Sequence, residues 1–327
     1  MARHAARTVA QYALVLFAAI TVNFLLPRLA PGDAVDYLLP PEQVGTISAD
    51  QRAQLLGQFG LDKPATTQFV DYLAGIATGD LLVSVRYGRP VREVLAERVG
   101  WTALLVGGSV VLSTVIGAWL GFRSAWSRGT VRDTGTLSGV MVLDSIPPFF
   151  LGIVLLVVFS VNLDWFPAFG ALPTVDASGL ALVTEVLQRL TLPLVTLTAS
   201  SVGPMYLVAR SALVGELQED YVLMAEAKGL RPSRVRHHAQ RNALLPVSTV
   251  SLIGLGTLVG GATVVETVFS YPGLGRLIYE SVLARDYPVL QGAFLLLIVG
   301  VILANLVNDL LYPLLDPRVR RAPRARS

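Results

Sequence analysis

Residues Glu219 to Pro246 read EDYVLMAEAKGLRPSRVRHHAQRNALLP, a charged stretch between two strongly apolar runs. From Leu213 onward, small and apolar residues recur with a helical rhythm that stops at Gly229. Glycine often follows the end of a helix because it adopts the left-handed conformation at little cost. Pro232 suits the first turn of a second helix, where no N–H donor is needed. The stretch therefore predicts two helices joined by a tight turn.

The composition of the whole chain indicates a membrane protein. Of its 327 residues, 53% are hydrophobic and only 15% are charged, whereas soluble domains usually carry about a quarter charged residues. The formal net charge of +3 is too small to predict nucleic-acid binding. The absence of cysteine excludes thiol catalysis, disulfides and cysteine-ligated metal sites.

Six apolar runs are long enough to cross a bilayer, which takes about 20 residues of helix. We predict transmembrane helices at 8–27, 102–122, 137–163, 190–209, 244–268 and 289–315. A basic segment precedes the first run, so a cleaved signal peptide is the alternative interpretation there. The predicted fold class is all-α, a polytopic membrane protein with six transmembrane helices.

The positions of the arginines orient these helices, because lysine and arginine in short loops stay on the cytoplasmic side. Most of the 26 basic residues fall in four alternating segments, namely 1–7, 123–136, 210–243 and 316–327. The opposite side then holds the loops 28–101, 164–189 and 269–288. We therefore predict a multi-pass protein of a bacterial or archaeal cytoplasmic membrane, with both termini in the cytoplasm.

The extracytoplasmic loop 28–101 is too long to be a simple connection. It contains ISADQRAQLLGQFGLDKPATTQFVDYLAGIATGD, which predicts two short helices separated by Gly60 and Pro64. Ser48 and Gln51 have the spacing of a capping box. The loop is either a solvated cap without a role of its own or a docking surface or lid over a transport path.

No nucleotide-binding or catalytic motif accompanies the apolar runs. The phosphate-loop pattern G-x-x-x-x-G-K-[ST] is absent from the sequence. The run Gly254 to Gly261 has the wrong spacing for a dinucleotide fingerprint and instead suits close helix packing through Gly256 and Gly260. The three histidines have no ligand spacing with carboxylates. We therefore predict a protein that is not an enzyme, without metal, cofactor or catalytic residues, and energised by a partner.

The charged stretch resembles the cytoplasmic EAA loop of binding-protein-dependent ABC importer permeases. It is most similar to the dipeptide, oligopeptide and nickel branch, with the form D-Y-V-x-x-A-x-A-K-G followed by R-N-A-L-x-P. By this resemblance, the candidates for coupling to an ATPase are Asp220, Tyr221, Ala225, Ala227, Lys228, Gly229, Arg241, Asn242 and Pro246. Glu226 stands between the two alanines, so the glutamate of the general motif is out of register here. From composition alone, a basic loop held to anionic lipid headgroups is the alternative.

The resemblance extends over nearly the whole chain. Segments such as LAPGDAVDYLL, SIPPFFLGIVLLVVFS and NLVNDLLYPLLDPRVR are similar to the B-type subunit of this branch. The resemblance implies a type I ABC importer permease fold and a pathway formed with a second homologous permease. The other partners that it implies are two cytoplasmic ATP-binding subunits, an extracytoplasmic solute-binding protein and membrane lipid, without nucleic acid.

The resemblance also implies the solute, a dipeptide or oligopeptide. Nickel or another small solute is the alternative within the same family. A secondary transporter is the alternative of a different class, but such proteins usually show internal repeats and several intramembrane charges.

Three carboxylates lie within predicted transmembrane helices, where charge is costly and is a functional candidate. Asp309, near the cytoplasmic end of the sixth helix, is expected to pair with a basic loop residue, and Asp144 and Glu266 are the candidates for the pathway or a gate. Asp144 stands beside Pro147 and Pro148 in the third helix, where the resemblance predicts a small or apolar residue. Asp144 either contacts a substrate ammonium or lines the pathway, or it pairs with a neighbouring polar group or lies nearer the membrane interface. Glu266 closes the fifth helix and belongs either to an external gate or to a plain interfacial position.

Overall fold

A computed structural model describes residues 2–29, 48–58, 62–170 and 179–315 of the chain. Some side chains within these ranges, chiefly those at 2–8, 255–261 and 308–315, are outside the description. The predicted turn glycine Gly60 and the predicted cytoplasmic C-terminus 316–327 therefore lie outside the described residues. The packing of the predicted pair Gly256 and Gly260 is likewise outside the description.

The described residues are almost entirely α-helical, and the β-type contact among them is an isolated bridge between Val83 and Pro90. The predicted all-α class is confirmed. The helices in chain order are α1 (Ala2–Leu29), α2 (Ala49–Gln58), α3 (Ala65–Thr78), α4 (Val91–Trp126), α5 (Val131–Asp144), α6 (Pro148–Leu156), α7 (Leu180–Glu216), α8 (Asp220–Ala227), α9 (Pro232–Val268), α10 (Leu274–Ala284) and α11 (Tyr287–Leu315). A short π-helix, Val157–Asn162, continues α6.

Within the described ranges, three helical segments are long and apolar enough to cross a membrane: α4, α7 and the part Tyr287–Val307 of α11. A fourth results if α5 and α6 with its π-helical end form one span, bent by 89°. The helix α1 has a shorter apolar stretch, Val9–Leu25. The number of six spans therefore stays a prediction.

The predicted third span, 137–163, is two helices at a steep angle instead of one straight rod. The break lies at Pro147 and Pro148. Proline cannot donate to a preceding turn, and it disfavours the helical conformation in the residue before it. Two consecutive prolines thus end α5 and start α6 at its first turn.

The chain forms two compact units. The first comprises Met1–Thr102 and Pro272–Ile302, and the second comprises Ala103–Tyr271 and Leu303–Ser327. The helices α4 and α11 contribute one part to each unit.

The core of the first unit joins the start of α4 to α10 and to the start of α11. Its buried residues are Val91, Val94, Leu95, Leu274, Leu277, Val289 and Ala293. Gly292 allows α11 to lie directly against α4, because a Cβ at this position would be only 2.8 Å from Val91 Cγ1. Because aliphatic side chains from three helices are buried together here, this cluster stabilises the first unit.

The two short helices predicted in the loop 28–101 are confirmed as α2 and α3. A capping box starts α2: the Gln51 N–H donates to Ser48 Oγ at 3.3 Å, and the Ser48 N–H donates to Gln51 Oε1 at 2.9 Å. The helix α3 begins after Pro64 and ends at Gly79, which has a φ of +75°. Sequence spacing alone was sufficient for both helices because their starts and ends are local.

In the second unit, α4 packs with its backbone against α7. A Cβ at Gly117 would lie 3.1 Å from the Val202 carbonyl oxygen, and one at Gly121 only 2.6 Å from the Tyr206 carbonyl oxygen. Gly117 and Gly121 thus form a G-x-x-x-G contact face, the pattern that lets membrane helices approach closely. Any larger residue at either position would force the two helices apart.

Candidate coupling site

The helix α8 ends in a Schellman motif centred on Gly229. The Gly229 N–H donates to the Glu226 carbonyl at 2.8 Å, and the Leu230 N–H donates to the Ala225 carbonyl at 3.2 Å. Gly229 has a φ of +72°, and no atom lies within 4 Å of the position a Cβ would take. The requirement for glycine is therefore purely conformational. With Pro232 in the first turn of α9, the predicted helix, turn and second helix are confirmed.

Much of the surface of α8 is exposed in the chain. Of its eight residues, only Val222 is buried. Leu223 and Met224 are 61% and 58% exposed. The turn residues Lys228 and Gly229 are exposed as well. Two adjacent large apolar side chains on a protruding helix form a surface that a partner protein can cover.

Small residues fix the base of this helix pair. Ala239 and Ala243 on α9 are fully buried, together with Leu213 on α7 and Ala125 on α4. Their short side chains bring the three helices close together, because alanine leaves room for neighbouring backbones. The exposed helix α8 therefore stands on a well-packed base.

The Glu216 carboxylate joins three helices at this base. The Tyr221 hydroxyl, on α8, donates to Glu216 Oε2 at 2.5 Å, and Asn242 Nδ2, on α9, donates to the same oxygen at 3.2 Å. Glu216 itself is the last residue of α7. Burial, and secondarily the hydrogen bond to Glu216, raises the pKa of Tyr221 to about 12. The tyrosine hydroxyl consequently keeps its proton and its donor role at neutral pH.

A second polar cluster includes Arg210, which lies six residues before Glu216 on α7. The Arg210 guanidinium donates hydrogen bonds from Nε to Asp133 Oδ1 at 3.0 Å and from Nη2 to Asp133 Oδ2 at 2.8 Å. The Ser124 hydroxyl also donates to Asp133 and contacts the Tyr206 hydroxyl at 2.6 Å. The Asp133 carboxylate is buried, and a bidentate arginine with further donors offsets the cost of burying its charge. The cluster ties the end of α4 and the start of α5 to α7.

The structure brings together some of the sequence candidates and not others. Tyr221 and Asn242, which are 21 positions apart in sequence, share one acceptor. The side chains of Asp220, Arg241 and Pro246 are exposed and make no contact with that acceptor. Ala225 is half-buried, while Ala227 is exposed.

Glu216 and the pair Asp133–Arg210 were not among the sequence candidates. Glu216 lies four residues before the matching motif, and its only local signal is a glutamate at the end of a helical run. Asp133 and Arg210 are separated by 77 positions in sequence, so no spacing rule connects them.

Asp144 and Glu266, both within predicted transmembrane helices, differ in their surroundings. Asp144 is the last residue of α5 and is exposed in the chain, with no hydrogen-bond donor among the described residues. Its carboxyl group lies against Gly203 of α7, where an added Cβ would be 2.6 Å from Asp144 Cγ. Glu266, near the end of α9, is 0% exposed, and its carbonyl accepts the Tyr271 N–H at 2.8 Å.

Comparison with known proteins assigns the family. Residues 104–321 match the sequence profile of the binding-protein-dependent transport system inner membrane component. The chain is 35% identical to the di/tripeptide transport system permease protein DppB of Pseudomonas aeruginosa (strain UCBPP-PA14), covering 93% of this chain and 94% of that protein. It is 37% identical to the glutathione transport system permease protein GsiC of Salmonella choleraesuis (strain SC-B67), covering 94% of both.

A solved structure supports the same fold. The structure titled as an inward-facing conformation of the MetNI methionine ABC transporter matches with a TM-score of 0.55 and 20% identity. It covers 68% of this chain and 96% of the matched chain. At this identity the likeness concerns the fold alone. The family profile and the full-length relatives show that the chain belongs to the inner-membrane permeases of binding-protein-dependent ABC transport systems.

Proposed function

We propose that this permease imports dipeptides or oligopeptides and forms its pathway with a second homologous permease. The support for the solute is the full-length similarity to permeases whose names specify di/tripeptide, oligopeptide and dipeptide transport. Another relative of similar identity is named for glutathione, which is a tripeptide. Two ATP-binding subunits supply the energy, and a solute-binding protein delivers the peptide.

We place both termini and the segment 210–243 in the cytoplasm, and the loop 28–101 on the outside. The clustering of arginines in alternate segments supports this orientation. In this orientation, α8 faces the ATP-binding subunits, and the loop with α2 and α3 faces the solute-binding protein.

The observation that supports a coupling role is that α8 is exposed while the residues beneath it are well packed. We propose that Leu223 and Met224, with the turn at Gly229, enter a groove of an ATP-binding subunit. Conversion of ATP-driven movement into helix movement needs a contact surface that is exposed and yet rigidly connected to the spanning helices. The helix α8 combines both properties through its exposed face and its Schellman turn. The motif candidates Asp220, Tyr221, Ala225, Ala227, Lys228, Gly229, Arg241, Asn242 and Pro246 belong to this coupling region.

We further propose that Asp144 contributes to the peptide pathway. It stands at the bend between α5 and α6, at the carboxyl end of a helix, where the helix dipole disfavours negative charge. A cationic group such as a peptide ammonium would relieve that cost. Glu266 is fully buried, so its placement favours a role in fixing the end of α9 over direct contact with solute.

Uptake by proteoliposomes tests the solute. The chain is reconstituted with its partner permease, its ATP-binding subunits and its solute-binding protein. Uptake of a radiolabelled dipeptide, a tripeptide, glutathione and nickel is then compared with and without ATP. ATP-dependent peptide uptake is expected; uptake of nickel alone would overturn the peptide assignment.

Substitution of Gly229 tests the coupling role. Gly229→Val places a β-branched residue in the left-handed conformation and is expected to separate ATP hydrolysis from uptake. Gly229→Asn is the conservative control, because asparagine tolerates this conformation. Gly79→Val is the positional control, since Gly79 ends α3 with a φ of +75° and an equally open Cβ position. Normal uptake per ATP in Gly229→Val at normal assembly would refute the coupling role.

A further inference from the structure

The orientation of α8 depends on a small number of tertiary contacts. The helix has eight residues and begins after Glu219 without a side-chain cap. Helices of this length are not stable on their own, so neighbouring elements must hold them. Val222 supplies its buried apolar contact. A single apolar contact keeps the helix close to the residues it packs on. It does not prevent the helix from rotating about that contact.

Among the described residues, the side-chain hydrogen bond made by α8 runs from Tyr221 to Glu216. Because Asn242 donates to the same Oε2 atom, the carboxylate connects α8 to the end of α7 and to α9 at once. Hydrogen bonds to a charged acceptor are shorter and stronger than neutral ones. The two donors are separated from Glu216 by 5 and 26 positions in sequence.

The location of Glu216 is itself unfavourable for a carboxylate. It is the final residue of α7, where the helix dipole is negative, and it is only partly exposed. No cation among the described residues lies within ion-pair distance of it. Among the described residues, the two hydrogen-bond donors are therefore the side chains that compensate the part of this charge turned away from solvent.

We infer that Glu216 is a positioning residue of the coupling site, which holds α8 in one orientation relative to α7 and α9. The inference rests on the proposed coupling role of α8. With the tie in place, a push on α8 reaches α7 and α9 together. Without it, α8 rotates on its Val222 contact, and movement of the ATP-binding subunits no longer reaches the spanning helices in full.

Two readouts on the complete complex test this inference without knowledge of the solute. The first is the stimulation of ATP hydrolysis by the solute-binding protein. The second is a distance distribution between spin labels on cysteines introduced at Glu226, on α8, and Val131, on α5. The chain has no native cysteine, so the labels are unique within it. Partner subunits without accessible cysteines complete the system.

Glu216→Ala is expected to reduce the stimulation of ATP hydrolysis about tenfold and to broaden the label distances. Glu216→Gln keeps an acceptor oxygen and is expected to restore most of both. Glu219→Ala removes a nearby exposed carboxylate of the same charge and is the matched control. Unchanged stimulation and unchanged distances in Glu216→Ala would overturn the inference.

If Glu216→Ala does not assemble into the complex, a second variant tests the same inference. The double substitution Tyr221→Phe with Asn242→Ala removes both donors and leaves the carboxylate in place, so it is expected to lose stimulation in the same way. Normal behaviour of this variant would equally overturn the inference. If Gly229→Val still uncouples the complex, the coupling role of α8 stands and only the role of Glu216 falls.

Discussion

Two turns of the molecule use the same local hydrogen bonds and serve different purposes. The turn after α8 has Gly229 in the left-handed conformation, and the turn after α10 has Arg285 there, with a φ of 54°. In the second turn the Asp286 N–H donates to the Ser281 carbonyl at 2.9 Å, and the Arg285 N–H donates to Val282, which repeats the Schellman pattern. Each turn connects a short helix to a long one.

The two turns differ in burial. Four residues of α10 are buried, compared with one on α8. Asp286 is 0% exposed and accepts hydrogen bonds from Ser84 Oγ at 2.5 Å, from the Arg86 N–H at 3.0 Å and from the Val289 N–H at 3.3 Å. The turn after α10 is thus part of a core, whereas the turn after α8 supports an exposed surface. The same backbone motif gives a rigid joint in one place and a contact surface in the other.

The largest expected effect is the loss of the buried carboxylate. Asp286→Ala leaves three donors without their acceptor and removes the cap of α11, so we expect a destabilisation of about 4 kcal/mol. Glu216→Ala at the half-exposed base of α8 should cost below about 1 kcal/mol in stability. The thermal unfolding midpoint of the detergent-purified complex measures both. Equal losses of stability in the two variants would show that both turns are equally part of the packed core.

The second-largest effect on stability is expected when one leucine in each short helix is replaced by alanine. Leu277 on α10 is 2% exposed, and Leu277→Ala should cost about 3 kcal/mol through the cavity it leaves. Leu223 on α8 is 61% exposed, and Leu223→Ala should change stability by less than about 0.5 kcal/mol. Pull-down of the ATP-binding subunits should instead weaken with Leu223→Ala. A stability loss at Leu223 as large as that at Leu277 would contradict an exposed coupling surface.

Strain in the exposed turn gives a smaller effect on stability. Gly229→Val forces a β-branched residue to a positive φ, which costs about 1–2 kcal/mol. Gly229→Asn should lose less than half of that in the same thermal measurement. Because no atom lies near the Cβ position of Gly229, a much larger loss would point to a contact that the structure does not contain.

The smallest effect on stability is expected at Arg285, a non-glycine residue that already has a positive φ in the folded protein. Arg285 has an exposed side chain, so Arg285→Gly removes backbone strain without loss of a buried contact. The greater freedom of glycine in the unfolded chain offsets part of this gain, and a net stabilisation of about 0.5 kcal/mol is expected. The unfolding midpoint again provides the measurement, and a clear destabilisation would mean that the Arg285 side chain has a role of its own.

Sequence reasoning succeeded where structure is local. The capping box of Ser48 and Gln51, the stop at Gly229 and the start at Pro232 all depend on neighbours within a few positions. It was incomplete at the third predicted span, because a hydropathy window registers apolar length but not the angle that Pro147 and Pro148 impose. It also selected Gly256 and Gly260 as a packing face and did not single out Gly117 and Gly121, whose close contact depends on which helix lies opposite.

The sequence by itself determined the all-α membrane class, the position of the proposed coupling motif and the family. These properties depend on composition, periodicity and short motifs, which the order of residues contains directly. The tertiary structure alone decided that Tyr221 and Asn242 meet at Glu216, that Arg210 pairs with Asp133, and that one Schellman turn is buried while the other is exposed. Each of these depends on side chains from separate helices meeting in space, and no local spacing specifies which helices will be neighbours.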